Sequence, residues 1–302
     1  MNKTEIKVNR FAAIDIGTNA IRLLLMNIID RDDNKKPIFK KNNLVRIPIR
    51  LGEDVFVKGK ISEEKAGKLF NSMKGFRYLI EANDVMDYRV CATSAMREAE
   101  NGKDVVESIK NKTGFNLNII DGKEEASIIF STQVAEFLDP EKIYMYTDVG
   151  GGSTDISIFH NHEMIATESF NIGTVRILYD KTESEEWERM KNWLKKRADD
   201  MKIDYVIGSG GNINKMRKLI ETKKGKTVTY HQLKELRNYL QDFTYKERIV
   251  NLNLKTDRSD VIIPAADIFL RVLKWGEVKK VYAPKIGLVD GIIHKLYDAY
   301  KV

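Results

Sequence analysis

The sequence predicts an α/β fold made of two similar halves, and three observations carry that expectation. Short runs rich in Ile, Leu and Val alternate with longer stretches of helical periodicity, the pattern of strands interleaved with helices. The string Asp-x-Gly occurs twice, as Asp15-Ile16-Gly17 and Asp148-Val149-Gly150, 133 residues apart and each time between two apolar runs. The second copy continues into three consecutive glycines, Gly150, Gly151 and Gly152. Two halves that each open on a glycine hairpin are expected to face each other across a cleft.

The elements follow in order. Residues 10–30, "RFAAIDIGTNAIRLLLMNIID", read as strand, turn, strand. In 61–84 Ser62 is the expected N-cap of a helix that places Ala66, Leu69, Phe70, Met73, Phe76 and Ile80 on one face. "YRVCATSAM" (88–96) is a strand running into a loop, and "NLNIID" (116–121) a short strand. A helix is expected over 121–139 from the spacing of Ile128, Ile129, Val134 and Phe137. Residues 143–161 repeat the opening pattern, and "EMIATESFNIG" continues as a strand. Helices are expected over 184–201, 230–243, 259–276 and 286–300, with "YVIGSGGNINKMRKLI" a strand, glycine turn and helix, and "KKVYAP" a strand. The domain division predicted is 1–124 and 125–302.

Composition narrows the function. No apolar run reaches the about 20 residues of a membrane span, and the charged N-terminus lacks a signal-peptide core, so a soluble cytoplasmic protein is expected. The single cysteine, Cys91, excludes an internal disulfide. Four histidines show no metal-ligand spacing; "HNH" at 160–162 reads as an exposed hairpin turn. Lys and Arg number 51 against 44 Asp and Glu, a net charge of +7. The basic runs lie in the second half; each reads alone as a solvated helix face, and together they favour a polyanionic partner.

The glycine loops discriminate further. A P-loop needs Gly-x4-Gly-Lys-Ser/Thr before a helix, and no such string is present. A dinucleotide fingerprint also leads into a helix, whereas "STDISIF" after Gly152 alternates with a period of two, as a strand does. Both loops are therefore hairpin turns. Glycine lets successive backbone N–H groups of such a turn approach a phosphate. The preceding aspartates, Asp15 and Asp148, are candidates to hold a divalent cation that bridges to phosphate oxygens. The plain alternative is a tight hairpin with a solvated aspartate.

Glu125 stands in the first turn of the 121–139 helix. Position alone favours a dipole-stabilising role there, with a water-orienting base as the alternative. Arg22, inside an apolar strand, either reaches the surface or pairs with an anion. Arg97 either clamps a phosphate or makes a surface ion pair. Ser153 and Thr154 have no histidine near in sequence and read as hydrogen-bond donors rather than nucleophiles. "GSGGN" (208–212) opens a helix and offers N–H groups to another anion or a nucleobase.

The segments "AAIDIGTNAIRLLL", "CATSAMREAENG", "DGKEEASIIF", "DVGGGSTDISIF", "NIGTVRI", "VIGSGGNI" and "GLVDGII" resemble, in this order, the exopolyphosphatase/guanosine pentaphosphate phosphohydrolase (Ppx/GppA) family. The resemblance spans essentially the whole chain. It implies the actin-like ATPase (ASKHA) superfamily fold, two ribonuclease-H-like domains around a cleft, and hydrolysis of a terminal phosphoanhydride. It implies Glu125 as catalytic base, Asp148 and Asp15 at metal, Arg22 and Arg97 on phosphate, and phosphate-binding loops formed by Gly17, Thr18 and Asn19 and by Gly150, Gly151, Gly152, Ser153 and Thr154. Mg²⁺ is the implied cofactor, inorganic polyphosphate or the alarmone pppGpp the substrate, and a homodimer the implied assembly, with no membrane and no specific nucleic acid as partner. A non-catalytic nucleotide- or polyphosphate-binding protein of the same fold is the alternative. The family often has arginine where this chain has Ser127, and "GLREG" where it has Val289 and Asp290 in "GLVDG". The chain ends at Val302, short of the C-terminal helical domains of longer members, so strong processivity on long polyphosphate is not expected.

Overall fold

A computed structural model describes residues 7–31, 36–130, 139–220 and 227–301. These form two compact units, residues 1–121 with 288–302 and residues 122–287, each with its own mixed sheet.

In the first unit, β1 (Val8–Ile16), β2 (Ile21–Ile29) and β3 (Ile38–Ile47) make an antiparallel meander. The helices α1 (Leu51–Lys58) and α2 (Glu63–Ala82) follow. β4 (Asp87–Ala92) then joins β1 in parallel, α3 (Ser94–Glu98) and α4 (Gly102–Thr113) come next, and β5 (Leu117–Ile119) joins β4 in parallel. The sheet order is β3-β2-β1-β4-β5. Alternation sends Ala12, Ile14 and Ile16 of β1 with Ile21, Leu23 and Leu25 of β2 into one core. Ser62 caps α2 by accepting the Lys65 N–H at 3.3 Å, and Leu69, Met73, Phe76 and Ile80 are its buried stripe, with Ala66 and Phe70 packed beside it.

The second unit repeats this plan. It begins with α5 (Gly122–Phe130); residues 131–138 of the helix expected over 121–139 lie outside the described residues. β6 (Tyr144–Val149), β7 (Thr154–His160) and β8 (Glu163–Phe170) form the second antiparallel meander. Asn161 and His162 turn the β7–β8 hairpin in the left-handed region, at φ 49° and 61°, so "HNH" is the turn its sequence suggests. The helices α6 (Thr174–Leu178) and α7 (Ser184–Asp200) precede β9 (Tyr205–Ser209), which pairs in parallel with β6. After α8 (Gly211–Leu219) come β10 (Thr227–Thr229), α9 (Tyr230–Gln241), α10 (Tyr245–Val250), α11 (Thr256–Ser259), α12 (Ile262–Trp275) and β11 (Lys280–Tyr282). The sheet order is β10-β11-β9-β6-β7-β8. A three-strand meander extended by parallel strands beyond its first member is common to both sheets. The buried helix α12 fills the second core with Ala265, Ala266, Ile268, Phe269 and Val272, all fully enclosed.

The last helix, α13 (Leu288–Lys301), belongs to the first unit, whereas the sequence division assigned it to the second half. Its Tyr297 and Tyr300 rings meet Phe11 of β1 edge-on, and its His294 stacks on Phe39 of β3 at 3.8 Å between centroids. Asp290, one of the two departures from "GLREG", is buried and ion-paired with Lys41 of β3 at 2.5 Å. Tyr297 donates to Asp30. Among the described residues no helix is long and apolar enough to cross a membrane.

Candidate functional site

Each unit presents one glycine hairpin, and the two are wired alike. In the first, the Gly17 N–H donates to the Ala20 carbonyl at 3.2 Å; in the second, the Gly150 N–H donates to the Ser153 carbonyl at 2.9 Å. Positions 17 and 150, like 20 and 153, keep the 133-residue offset. A Cβ on either glycine would stand 3.1 or 3.2 Å from that same carbonyl, close enough that the loop would have to give by a few tenths of an ångström.

Two carbonyls of each loop accept from a helix start. In the first unit the N–H groups of Arg50 and Gly52, at the head of α1, donate to the carbonyls of Asn19 and Thr18 at 3.1 and 3.0 Å. In the second, those of Thr174 and Val175, at the head of α6, donate to Gly150 and Gly151 at 3.0 and 2.8 Å. The Arg176 side chain adds a bond to the Gly152 carbonyl at 2.7 Å. Helix starts carry N–H groups with no partner inside the helix, and here loop carbonyls satisfy them. The consequence is polar: the carbonyls of Asn19, Thr18, Gly150 and Gly151 are committed to the helix behind the loop. Gly52 and Gly173 make the docking close. A Cβ on Gly52 would lie 2.3 Å from the Thr18 methyl, and one on Gly173 would lie 2.3 Å from the Gly151 carbonyl oxygen.

The two aspartates differ in setting. Asp15 is 3% exposed and accepts an ion-paired hydrogen bond from Arg22, its direct cross-strand neighbour. Burial pushes its carboxyl above the ordinary value, opposed by the charges of Arg22 and Arg46. Asp148 is only half-buried, and its cross-strand neighbour, at the position equivalent to Arg22, is Asp155. The second unit thus sets an acid where the first sets a base. Burial, followed by the negative charges of Asp148, Glu125 and Asp155, pushes the nearby Tyr146 hydroxyl well above its ordinary value. Gly210, at φ 103°, lies behind Asp148; a Cβ there would stand 3.6 Å from its Oδ1.

The other sequence candidates are distributed as follows. Glu125 is half-buried in the first turn of α5, in the same unit as the second loop. The start of that helix lies against β7 and β8: a Cβ on Gly122 would be 2.2 Å from Asp155 Oδ1. Ser153 is buried and donates to Asp155 Oδ2 at 3.1 Å, and Thr154 donates to the Ile172 carbonyl at 2.6 Å. Both hydroxyls thus brace the loop from inside. Arg97, at the end of α3 in the first unit, donates to the Ile120 carbonyl at 2.8 Å. Asp155 and Arg176 carry no role in the sequence reading. The 133-residue offset from Arg22 would have drawn attention to Asp155; nothing local marks Arg176 as a brace for Gly152.

Among the described residues no group of three or more His, Cys, Asp and Glu side chains could hold a metal ion. The cross-strand pair Asp148 and Asp155 is a two-carboxylate set, which is what Mg²⁺ commonly takes from protein, with water and substrate phosphates completing the shell. The second unit's donor set fits that ion better than Asp15 does, whose charge is committed to Arg22.

Fold and loops together define a two-unit α/β protein with a glycine hairpin docked on a helix start in each unit. A model of the Ppx/GppA phosphatase family matches residues 28–299, and the chain belongs to that family. The match begins after the first loop, whose geometry therefore speaks for itself. The chain is 28% identical to a bifunctional 3-dehydroquinate synthase/phosphatase of Fusobacterium nucleatum over 91% of its own length, but spans only 46% of that larger protein. It is 24% identical to a putative exopolyphosphatase of Haemophilus influenzae, covering 98% of this chain and 94% of the relative. The solved Ppx/GppA family member of Aquifex aeolicus superposes with a TM-score of 0.76 at 25% identity, over 98% of this chain and all of the other.

Proposed function

We propose that the protein is a phosphoanhydride hydrolase that releases terminal orthophosphate from inorganic polyphosphate or pppGpp. The observation that carries this reading is the shared wiring of the two hairpins: in each, helix N–H groups occupy the loop carbonyls, so the loop can offer donors to phosphate. Family membership and the exopolyphosphatase name of the Haemophilus relative support the substrate class.

In this reading Thr18 and Asn19, and Gly151, Gly152 and Ser153, offer backbone donors to phosphate oxygens, while the Gly17 and Gly150 N–H groups close the two hairpins. Thr154 fixes the second loop through Ile172. Arg22, held by Asp15, and Arg97, anchored on Ile120, neutralise further phosphate charge. Asp148, with Asp155 beside it, would hold Mg²⁺, with Asp15 serving as the counter-ion of Arg22. The ion, when bound, draws charge from phosphate oxygens. Glu125 orients a water and takes its proton at the carboxylate. Positioning and electrostatics then supply most of the rate, as is general for phosphoryl transfer. Phosphate release in Mg²⁺ from polyphosphates of several lengths, pppGpp and ATP tests the proposal; turnover of none of them would refute it.

A further inference from the structure

We infer that Lys65 is a positioning residue for the first phosphate loop: its ammonium holds Arg50 in the left-handed backbone that docks the head of α1 on the glycine hairpin. The inference rests on the proposed function and deepens it, naming a residue that shapes the loop from behind without touching phosphate. Arg50 is the N-cap of α1, at φ 58° and ψ 50°, and no side chain caps the helix there. A residue with a Cβ enters that region at a cost, and such a conformation persists where its surroundings over-determine it. Arg50 belongs to both bonds that fix the hairpin: its own N–H meets the Asn19 carbonyl at 3.1 Å, and two residues on the Gly52 N–H meets the Thr18 carbonyl at 3.0 Å. The kink at Arg50 sets the angle between them. On its N–H side the kink is pinned by the hairpin. On its carbonyl side it is pinned by the Glu53 N–H at 3.1 Å and by Lys65 Nζ at 2.6 Å.

Lys65 stands in the first turn of α2, with its own N–H capped by Ser62. A cation there opposes the helix dipole, and the side chain is only 12% exposed, so burial adds to the cost. The helix that carries it gains nothing from the charge. Among the described residues the ammonium reaches α1 and its N-cap instead: the Arg50 carbonyl, the Glu53 carboxylate at 2.8 Å and the Asp54 carboxylate at 3.5 Å. Three ammonium protons thus meet three oxygens. The contrast is Lys68, which pairs with Glu64 of its own helix and is 60% exposed. The two acids compensate the buried charge of Lys65. The shortest of its three contacts goes to a neutral carbonyl, and that one acts on the backbone of Arg50.

The test is calorimetric binding of tripolyphosphate and phosphate release from it in Mg²⁺, with melting curves, for the full chain and its Lys65→Met, Lys65→Arg, Arg50→Gly, Arg50→Val and Lys65→Met/Arg50→Gly variants. A misplaced loop predicts kcat/KM on the order of 10- to 100-fold lower in Lys65→Met, with partial recovery in Lys65→Arg. Glycine takes the left-handed region freely, so Arg50→Gly is expected within about threefold of wild type, and in that background Lys65→Met costs less than about threefold. The melting temperature lost with the Lys65 ion pairs stays lost in the double variant, which separates holding the kink from holding the fold. Arg50→Val keeps Lys65 but disfavours the kink and is expected to share the kinetic loss; it decides the matter if Lys65→Met does not fold. Kinetics within about twofold of wild type in folded Lys65→Met, an equal loss with and without Arg50→Gly, or normal kinetics in Arg50→Val would each overturn the inference. Any of these with turnover by wild type leaves the proposed function standing. Binding without turnover of this or the other substrates would refute that function, and the affinities then carry the same comparisons. Neither binding nor turnover by wild type would overturn both.

Discussion

Replacing Gly173 by alanine tests whether the second loop depends on the helix docked behind it. Gly173 has extended backbone, φ −134°, so alanine meets no conformational penalty and the cost is steric alone. The added Cβ would stand 2.3 Å from the Gly151 oxygen and 2.4 Å from the carbonyl carbons of Gly151 and Gly152. These are backbone atoms, unable to swing aside as a side chain would. Restoring ordinary contact requires a separation of roughly 1 Å between loop and α6. Overpacking of this kind costs about 1–3 kcal/mol. Lengthening the Thr174–Gly150 and Val175–Gly151 bonds, now 3.0 and 2.8 Å, adds about 1 kcal/mol. The expected sum is about 2–4 kcal/mol, on the order of 4–16 °C for a unit of this size. A 1 Å misplacement of a positioning group can also cost about 100-fold in rate. Melting curves and phosphate-release kinetics read both effects. Gly67→Ala is the control, since a Cβ there meets nothing within 4 Å; it is expected to be neutral or stabilising by up to about 1 kcal/mol. A Gly173→Ala protein that melts within 1 °C of wild type and keeps its kcat/KM would refute the reasoning.

Three further expectations concern the ends of the molecule and the acids of the site. Asp30 accepts from Tyr297 and Asn9 and pairs with Lys301 at 3.3 Å; the Tyr297 bond leads in holding its carboxyl below the ordinary 3.8. A depressed carboxyl contributes stability that is complete above its unfolded value and is lost as pH falls through the folded one. Tyr297→Phe should therefore cost about 1 kcal/mol near neutrality and shrink the fall in stability below pH 3.8, measured as melting temperature against pH; an unchanged acid limb would contradict this. Asp148→Asn should raise the Mg²⁺ concentration giving half-maximal phosphate release by about tenfold or more, and an unchanged Mg²⁺ titration would remove Asp148 from the metal. Gly210→Ala, forced into a positive-φ extended conformation (φ 103°, ψ 161°) behind Asp148, should cost about 1–3 kcal/mol in a melting curve, and no loss would mean the turn relaxes freely.

The strands and helices that the sequence exposes are those with a buried face and an outer one. β1, β2, β6 and β7 carry dense apolar runs interrupted by glycine, and α2 shows its stripe and its Ser62 cap. β3 escapes because it is an edge strand: Lys40, Lys41, Asn42, Asn43 and even Leu44 are exposed, so no hydrophobic alternation remains. α6 is five residues long, too short to show a period. The placement of α13 is also invisible locally, since its periodicity states that one face is buried and not which sheet buries it. At the site, the glycines and aspartates were legible from spacing. The reason they matter was not: the Gly150 and Gly151 carbonyls are occupied from α6, more than twenty residues downstream, and no local pattern encodes that contact. Asp15 and Asp148 look alike in sequence and part company only through their cross-strand neighbours, Arg22 and Asp155.

The proposed reaction is hydrolysis, with Glu125 handling the water. The most direct measurement compares phosphate release in Mg²⁺ by wild type and Glu125→Gln on polyphosphate, pppGpp and ATP, together with binding of the same substrates. The expected result is release from polyphosphate or pppGpp by wild type, and a loss of at least about 100-fold in kcat with binding retained in the variant. Equal turnover by the two proteins would remove Glu125 from the chemistry. Tight binding with no turnover by wild type would make the chain a phosphate-chain binder on an enzyme's fold.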